Sequence, residues 1–159
     1  MLSFPTREIG DGAVHVAGVL DPDDKVWLES DERPRGAGIG VTGRVSEAGQ
    51  GRYYFSGSID GEVELQCGRC LEDFKSTVAA DMHVLFTDGS QADDDDPDVF
   101  PLAEGRSGFE IDLRAAVREG WLLEIPAVAV CRPECKGLCR SCGANLNQGP
   151  CTCARKPEE

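Results

Sequence analysis

Eight cysteines are the residues of this 159-residue chain whose type and spacing could do chemistry. Two of them, Cys67 and Cys70, form the isolated segment CGRC in the middle of the chain. The other six crowd into residues 131–153, which read CRPECKGLCRSCGANLNQGPCTC: Cys131, Cys135, Cys139, Cys142, Cys151 and Cys153. Four-coordinate zinc binds thiolates that converge on one point, so this pattern predicts metal binding.

The spacing within the cysteine segments favours zinc. Two cysteines separated by two residues can bring both sulfurs to one ion across a tight turn. The segments CGRC at residues 67–70 and CRSC at residues 139–142 have this spacing, and Gly68 and Gly143 give the turns conformational freedom. The eight cysteines form four local pairs, and a tetrahedral site takes two pairs, so one or two zinc ions are expected.

We expect two sites, each built from two of these pairs. The first would join the CGRC segment to the strand that leaves Pro126, with the ligands Cys67, Cys70, Cys131 and Cys135. The second would close locally around the short loop GANLNQGP, with the ligands Cys139, Cys142, Cys151 and Cys153. Spacing alone does not distinguish other combinations of the same pairs, so the grouping stays open at this point.

Three other uses of the thiols remain open. Structural disulfides need an oxidising compartment, but the first residues, MLSFPTR, lack the basic start and apolar core of a secretory signal. Cys151 and Cys153 are also too close in sequence to bridge each other easily. A redox pair would suit Cys67 and Cys70, and thiolate spacing alone does not exclude an iron–sulfur cluster. We expect a cytoplasmic chain, and clustered cysteine pairs in such a chain favour zinc over these alternatives.

Alternating apolar residues predict the sheet that positions the CGRC segment. A strand is expected at residues 12–20, with Val14 and Val16 on one face and His15 on the other, followed by a loop at 21–38. Four more alternating sets follow: Ile39, Val41 and Val45; Tyr53, Phe55 and Ile59; Val63, Leu65 and Cys67; and Val78, Ala80, Met82, Val84 and Phe86. Asp60 and Gly61 predict a hairpin turn between the second and third sets. The predicted sheet is antiparallel, with CGRC at a hairpin tip.

One helix is expected between the sheet and the cysteine-rich tail. Asp112 is a plausible N-cap, and apolar residues at helical spacing follow it, with arginines on the opposite face. Pro126 excludes continuation of the helix, and Val128 and Val130 predict a short extended run into the tail. The fold class is therefore α+β: a mainly antiparallel sheet with one covering helix and a C-terminal metal-binding tail. We expect three parts, at residues 1–38, 39–130 and 131–159.

Charge is distributed unevenly along the chain. The formal net charge is −13, but residues 1–130 carry −15 and residues 131–159 carry +2. The overall charge argues against a general nucleic-acid binder, because phosphate contacts need Lys and Arg. The metal-binding end is nevertheless the electropositive end. An acidic stretch at residues 87–98, TDGSQADDDDPD, favours solubility over partner binding, and the role of residues 93–98 stays open. No apolar run approaches a membrane span, so a soluble chain is expected.

Three segments resemble the YceD-type family, bacterial and plastid proteins linked to accumulation of large-subunit ribosomal RNA. They are CGRCLEDF at residues 67–74, IDL at 111–113 leading to LLEIP at 122–126, and CKGLCRSCGANLN at 135–147. The resemblance covers residues 39–153 in the family's order. It implies a role in synthesis, processing or stability of large-subunit ribosomal RNA, and it does not imply a catalytic mechanism.

The residues themselves agree with a non-enzymatic role. The chain has only two histidines, His15 and His83, with no phosphate-binding glycine loop and no recognisable nucleophile–base set. The leading hypothesis is a zinc-stabilised ribosome-biogenesis factor that contacts precursor RNA or a basic ribosomal protein. The candidate contacts in its tail, which could also be ordinary surface charge, are Arg132, Lys136, Arg140 and Arg155. The alternatives are an adaptor whose acidic body binds a basic protein, and a thiol- or metal-responsive regulator that uses Cys67 and Cys70.

Overall fold

The computed structural model describes residues 1–10, 12–29, 31–88, 98–105 and 108–155, and all their side chains except those of residues 154 and 155. Within this part of the chain there are eight strands, one α-helix and two 3₁₀ turns (Thr6–Glu8 and Thr152–Arg155). The strands are β1 (Ser3–Pro5), β2 (Ala13–Leu20), β3 (Pro34–Gly49), β4 (Arg52–Gln66), β5 (Asp73–Thr87), β6 (Val99–Pro101), β7 (Ala103–Gly105) and β8 (Gly108–Asp112). The helix is α1 (Arg114–Glu124).

The strands form two sheets, a five-stranded one in the order β2-β3-β4-β5-β6 and a three-stranded one in the order β1-β8-β7. The pairs β2/β3, β3/β4, β1/β8 and β7/β8 are antiparallel, which confirms the predicted α+β class with a mainly antiparallel sheet. The short strand β6 instead runs parallel to β5, with Leu85 opposite Val99. The sequence did not predict β6, because three residues are too few to show any periodicity.

Strand alternation places the core of the five-stranded sheet as predicted. On β2, Val16 is buried and His15 is exposed. On the longer strands the buried apolar residues recur at every second or fourth position, because successive side chains point to opposite faces. They are Ile39, Val41, Val45, Phe55, Ile59, Val63, Leu65, Val78, Met82, Val84 and Phe86.

The prediction of a hairpin turn at Asp60 and Gly61 is wrong, because β4 runs through both residues without interruption. The turn that joins β3 to β4 lies earlier, where Gly49, Gln50 and Gly51 have φ values of 82°, 55° and 72°. Gly61 serves a different purpose: a Cβ there would lie 3.1 Å from two carbons of the Trp121 ring. A glycine that suits a tight turn locally is thus used for close packing against the helix.

The predicted loop at residues 21–38 is too long by five residues, since β3 begins at Pro34. Pro34 and Arg35 pair with β4, but the ladder shifts register before Gly40. Gly36 and Gly38 have φ values of 64° and 90°, which interrupt regular pairing. This glycine-rich irregularity hides the strand from a periodicity argument.

Helix α1 covers the sheet with the predicted apolar face, on which Ala116, Val117 and Trp121 are buried. The N-cap position is Leu113 rather than Asp112, and it makes no side-chain capping bond. Asp112 instead accepts the backbone N–H of Arg114 at 3.1 Å, so it still satisfies one amide of the first turn.

Two arginines on the outer side of α1 fix the loop that precedes β3. The Arg118 guanidinium donates to both carboxylate oxygens of Asp31, at 2.6 and 2.9 Å. This hydrogen bond holds the pKa of Asp31 below its usual value. Arg114 lies 3.4 Å from Asp24 and also pairs with its neighbour Asp112. These charge-assisted bonds and the buried Trp27 together order the loop.

The chain divides into two compact units. We call Met1–Val63 with Thr77–Ile125 the body unit, and Glu64–Ser76 with Pro126–Glu159 the cysteine unit. All eight cysteines belong to the cysteine unit, which groups the CGRC segment with the tail, whereas composition suggested a boundary at residue 130. In the described ranges, no helix has the length and hydropathy needed to cross a bilayer.

Candidate metal centres

The first group of sulfurs consists of Cys67, Cys70, Cys131 and Cys135, whose Sγ atoms all lie within 4.8 Å of one another. The Cys67–Cys135 distance is 3.9 Å and the Cys70–Cys131 distance is 3.8 Å. A regular tetrahedron with zinc–sulfur bonds of about 2.3 Å has sulfur–sulfur edges of about 3.8 Å. All four cysteines are free thiols, so the spacing fits a shared ion and not a covalent bridge.

The second group consists of Cys139, Cys142, Cys151 and Cys153, which meet the same limit of 4.8 Å. Cys151 and Cys139 are 3.4 Å apart. These two groups are the two that the spacing of the cysteines suggested. Both could hold a metal ion, and each is a complete set of four sulfur ligands.

The same backbone turn presents the Cys-x2-Cys pair in both groups. In the first turn, Leu71 N–H donates to Cys67 O and Cys67 N–H donates to Glu72 O, both at 2.9 Å. In the second, Gly143 N–H donates to Cys139 O at 2.9 Å, and Cys139 N–H donates to Ala144 O at 2.8 Å. The two turns are therefore equivalent, position for position.

Each turn needs one residue in the left-handed region, directly after its second cysteine. Gly143 takes this position in the second turn, with φ 72°, as expected of a glycine. In the first turn it is Leu71, with φ 59°, and not Gly68 as we expected. Gly68 instead allows a close approach of the tail: its N–H donates to Ala129 O at 2.8 Å, and a Cβ would lie 3.3 Å from Val128.

The extended run predicted at Val128 and Val130 is wrong, since residues 126–130 form no strand. Val128 is 76% exposed, whereas Val130 packs against the first sulfur group together with Phe74. The backbone hydrogen bond from Gly68 to Ala129 connects this segment to the first turn without strand pairing. A pattern of only two alternating valines is too short to distinguish a strand from an irregular segment that has one residue packed against a buried cluster.

The two groups differ in their access to solvent. Cys67 is fully buried and Cys70 and Cys135 are 3% and 5% exposed, with only Cys131 partly open. In the second group Cys142 is exposed and the other three are half-buried. Chelators and oxidants should therefore reach the second group first.

Backbone amides favour the thiolate form at one cysteine in each group. N–H donors from Cys131 and Cys70 lower the pKa of Cys67 to about 6. Those of Cys142 and Ser141 lower the pKa of Cys139 to about 6. A hydrogen bond to a thiolate stabilises its charge and orients its lone pairs, as in the outer shell of known metal sites.

The remaining sulfurs show why each tetrad suits a cation. Burial and then the neighbouring sulfurs raise the pKa of Cys131 to about 12. Interaction with Cys142 and then burial raise the pKa of Cys153 to about 11. Sulfurs this close together cannot all ionise unless a positive charge shares the site. A divalent ion supplies that charge and deprotonates its ligands outright.

Asn147 is a supporting residue that the sequence argument missed. Its Nδ2 donates to the Cys135 sulfur at 3.3 Å, and this bond lowers the pKa of Cys135. Its Oδ1 accepts the Lys136 N–H at 2.9 Å. Asn147, which lies between Cys142 and Cys151, therefore ties the loop of the second group to the last ligand of the first group. An asparagine inside a cysteine-rich loop was the only signal that could have indicated it.

Arg69 is a second supporting residue that was missed. Its guanidinium donates to the carbonyl oxygens of Pro133 and Cys135, at 3.3 and 3.2 Å. Its own carbonyl oxygen accepts the N–H of Leu138 at 3.0 Å. The arginine inside the CGRC segment thus clamps the segment that supplies two ligands of the first group.

The structure places three of the four candidate contact residues on the surface of the cysteine unit. Arg132, Lys136 and Arg140 are exposed, and each follows a cysteine of the two groups directly in sequence. Glu134 is the exposed acidic residue among them. The side chain of Arg155 lies outside the described side chains, and residues 93–97 of the acidic stretch lie outside the described residues.

Comparisons with known proteins find relatives in plants and mycobacteria. The chain is 33% identical to the Large ribosomal RNA subunit accumulation protein YCED homolog 1, chloroplastic, of Zea mays, over 65% of this chain and 45% of that protein. The Arabidopsis thaliana protein of the same name is 28% identical over 61% of this chain and 38% of its own length. An uncharacterized protein of Mycobacterium bovis is 30% identical over 79% of this chain and 60% of its own length.

The chain thus spans less than two thirds of the length of these relatives. No solved structure gives a significant match. The profile described as Large ribosomal RNA subunit accumulation protein YceD matches residues 55–159, a segment that contains all eight cysteines and α1. This match covers more than half of the sequence, and the chain belongs to the YceD family.

Proposed function

We propose that this protein is a non-enzymatic ribosome-biogenesis factor that supports synthesis, processing or stability of large-subunit (23S) ribosomal RNA. The observation that carries the proposal is the pair of four-cysteine groups in a chain of the YceD family, with the exposed Arg132, Lys136 and Arg140 each directly after one of their cysteines. The family's name refers to accumulation of the large ribosomal RNA subunit. We place the protein in the cytoplasm, where thiols stay reduced.

We propose zinc as the ion in both groups. Sets of four thiolates at tetrahedral spacing are typical of structural zinc sites, which have no open position for a substrate or a reactive water. Zinc would fix the turns that carry the cysteines, so its role here is to order the cysteine unit. A closed site of this kind supports a non-enzymatic function.

We propose that the cysteine unit makes the contact with precursor RNA. Arg132, Lys136 and Arg140 are exposed and lie on backbone held by the sulfur groups, which limits the entropy they lose on binding. Residues 1–130, with a charge of −15, repel phosphate. Arg155 would add a fourth cation. Because few phosphates are met, the affinity should be modest and the salt dependence shallow.

A thiol- or metal-responsive regulator that uses Cys67 and Cys70 is less favoured. Both side chains are buried, and their sulfurs are within reach of Cys131 and Cys135. Redox sensors need an accessible thiolate. The exposed second group would be the better sensor, but oxidation there would release an ion that we assign a structural role.

Replacing Arg132, Lys136 and Arg140 together by Ala should weaken binding to large-subunit precursor RNA. The slope of the logarithm of the binding constant against the logarithm of salt concentration should also become less negative. The change should be about 0.9 for each lost duplex phosphate contact or about 0.7 for each lost single-strand contact. Binding isotherms at several salt concentrations measure both effects. The metal content should not change, because none of the three side chains is a sulfur ligand.

The matched control removes the same charge from the body unit by replacing Arg7, Lys25 and Arg44, all exposed, with Ala. It should leave the RNA affinity much closer to that of the parent. Equal effects of the two triple variants would mean that net charge alone matters, and the contact would not lie on the cysteine unit. Replacing residues 93–96 with Asn should leave the slope unchanged or strengthen binding, since it removes repulsion.

A further inference from the structure

Strand β5 has an open edge on the body unit. Its neighbour β6 pairs with it only over Leu85–Thr87, and no other described strand lies on that side of β5. Leu85 N–H donates to Asp98 O, and Thr87 O accepts the N–H of Leu102. Because backbone groups alternate along a strand, those of Asp81 and His83 point toward the same edge, beyond the end of β6.

A groove of about 280 Å³ runs along this edge. One side is residues 80–84 of β5, the other is the C-terminal half of α1, and Phe100 of β6 lies at one end. Gly120 also lines the groove, and because it has no side chain, α1 can approach Met82 of β5 closely. Leu123 of α1 lines the groove and is 84% exposed, so it offers apolar surface there.

The groove is lined by acidic side chains and by no lysine or arginine. Asp81 lies on β5, Glu119 and Glu124 lie on α1, and Asp98 lies next to β6. Asp81, Glu119 and Glu124 are exposed, and among the described residues none of these three forms a salt bridge, although Glu119 interacts electrostatically with its neighbour Arg118. An occupant would thus meet an apolar floor between two rows of negative charge.

We propose that this groove binds an extended, basic segment of a partner protein, which adds to the edge of β5 as a further strand. The segment's main chain would pair with Asp81 and His83, an apolar side chain would cover Leu123, and Lys or Arg on either side would meet Glu119, Glu124 and Asp81. This site lies on the body unit and is separate from the RNA contact proposed on the cysteine unit.

The charges select this occupant over two others. Phosphate groups of RNA would be repelled by the carboxylates, and no cation lines the groove to offset them. A second copy of the chain would bring the same acidic edge against itself, since antiparallel pairing of two β5 edges places like charges together. A basic extended segment suits both the open edge and the rim.

The probe is a short synthetic peptide in which Lys stands two residues before and two residues after a central Val, so that all three side chains share the strand face toward α1. It is titrated into isotope-labelled full-length protein and followed by NMR. Its backbone should protect the amides of Asp81 and His83 from hydrogen exchange, while amides of β2 do not change. The same peptide with N-methylated backbone amides on its pairing side should lose this protection. A peptide with Glu in place of Lys should not bind.

Two variants locate the contact. Leu123→Ser should weaken peptide binding without loss of stability, because the side chain is already exposed, and Leu28→Ser, at a leucine 57% exposed elsewhere on the body unit, is its control. The pair Glu119→Gln and Glu124→Gln should weaken binding roughly threefold to tenfold and reduce its salt dependence. Glu8→Gln and Glu47→Gln, equally exposed and outside the groove, should not.

Three results would overturn the proposal. The peptide could bind with no protection at Asp81 and His83, which would mean loose electrostatic association and no added strand. It could bind equally well to the Leu123→Ser and Glu119/Glu124 variants, which would place it elsewhere. A single-stranded RNA oligonucleotide, added without peptide, could itself protect the amides of Asp81 and His83, which would make this face a nucleic-acid surface.

Discussion

Removing metal with a chelator should unfold residues 126–153 while the body unit keeps its sheet and helix. The cysteine unit has few large apolar side chains in its tail, chiefly Leu138 and Leu146, and both are only half-buried. Such a segment cannot offset its ordering entropy by burial alone. Structural zinc contributes about 10–16 kcal/mol in small zinc domains, so this effect should be the largest of any single perturbation.

Hydrogen exchange of the chelated protein measures this directly. Amides that close the second turn, such as Cys139 and Gly143, should exchange fast, whereas amides of Phe55 and Ile59 in the core of β4 should stay protected. Restoring zinc should restore the protection. A uniform loss of protection over the whole chain would contradict the division between a metal-ordered unit and a body with its own core.

Cysteine variants separate the two groups. Cys142→Ser removes an exposed ligand of the second group. The variant should lose the ion of that group and keep the ion of the first group. Cys70→Ser removes a ligand that is 3% exposed and part of the cluster with Phe74 and Val130, so it should also loosen the start of the tail. The second variant should therefore be the more damaging to the fold of the cysteine unit.

Replacing Trp121 with Ala should destabilise the body unit by about 3–5 kcal/mol. The Trp121 side chain is fully buried, and its ring lies over Gly61, where there is no side chain to fill the space that it leaves. The cavity would open between α1 and β4, so neighbouring residues could collapse into it only in part. Urea unfolding followed by far-UV circular dichroism measures the loss.

The control for Trp121→Ala lies two residues further along the same helix. Leu123→Ala changes an 84% exposed side chain and should alter the free energy of unfolding by less than about 0.5 kcal/mol. The metal content of both variants should equal that of the parent. A loss of less than about 1 kcal/mol for Trp121→Ala would show that the ring does not hold the helix on the sheet.

The Cys-x2-Cys turns and the second cysteine group could be predicted from sequence because their geometry is local. A Cys-x2-Cys turn fixes two sulfurs by itself, and the alternation of Val63 and Leu65 shows that CGRC follows a strand directly. The second group closes within fifteen residues of chain, from Cys139 to Cys153. The first group joins Cys70 to Cys131, which are 61 residues apart in sequence, so spacing alone could not fix this grouping.

Residues governed by tertiary contacts could not be predicted in this way. Asp60 and Gly61 carry a strong turn signal, but packing of Trp121 against Gly61 decides their conformation. A leucine gives no sequence signal for a left-handed backbone conformation. Leu71 adopts one because it occupies the same position in the first turn as Gly143 in the second. Asn147 acts through a bond to the Cys135 sulfur, and nothing in sequence spacing indicates it.

The most direct test of the metal sites is native mass spectrometry of the reduced, untagged protein, with and without chelator. We predict two zinc ions per chain, one for each four-cysteine group, and a chelated form with eight free thiols. The double variant Cys139→Ser/Cys142→Ser should retain one ion. Metal content well below one ion per chain, or a mass lowered by two hydrogens for each cysteine pair, would contradict the account.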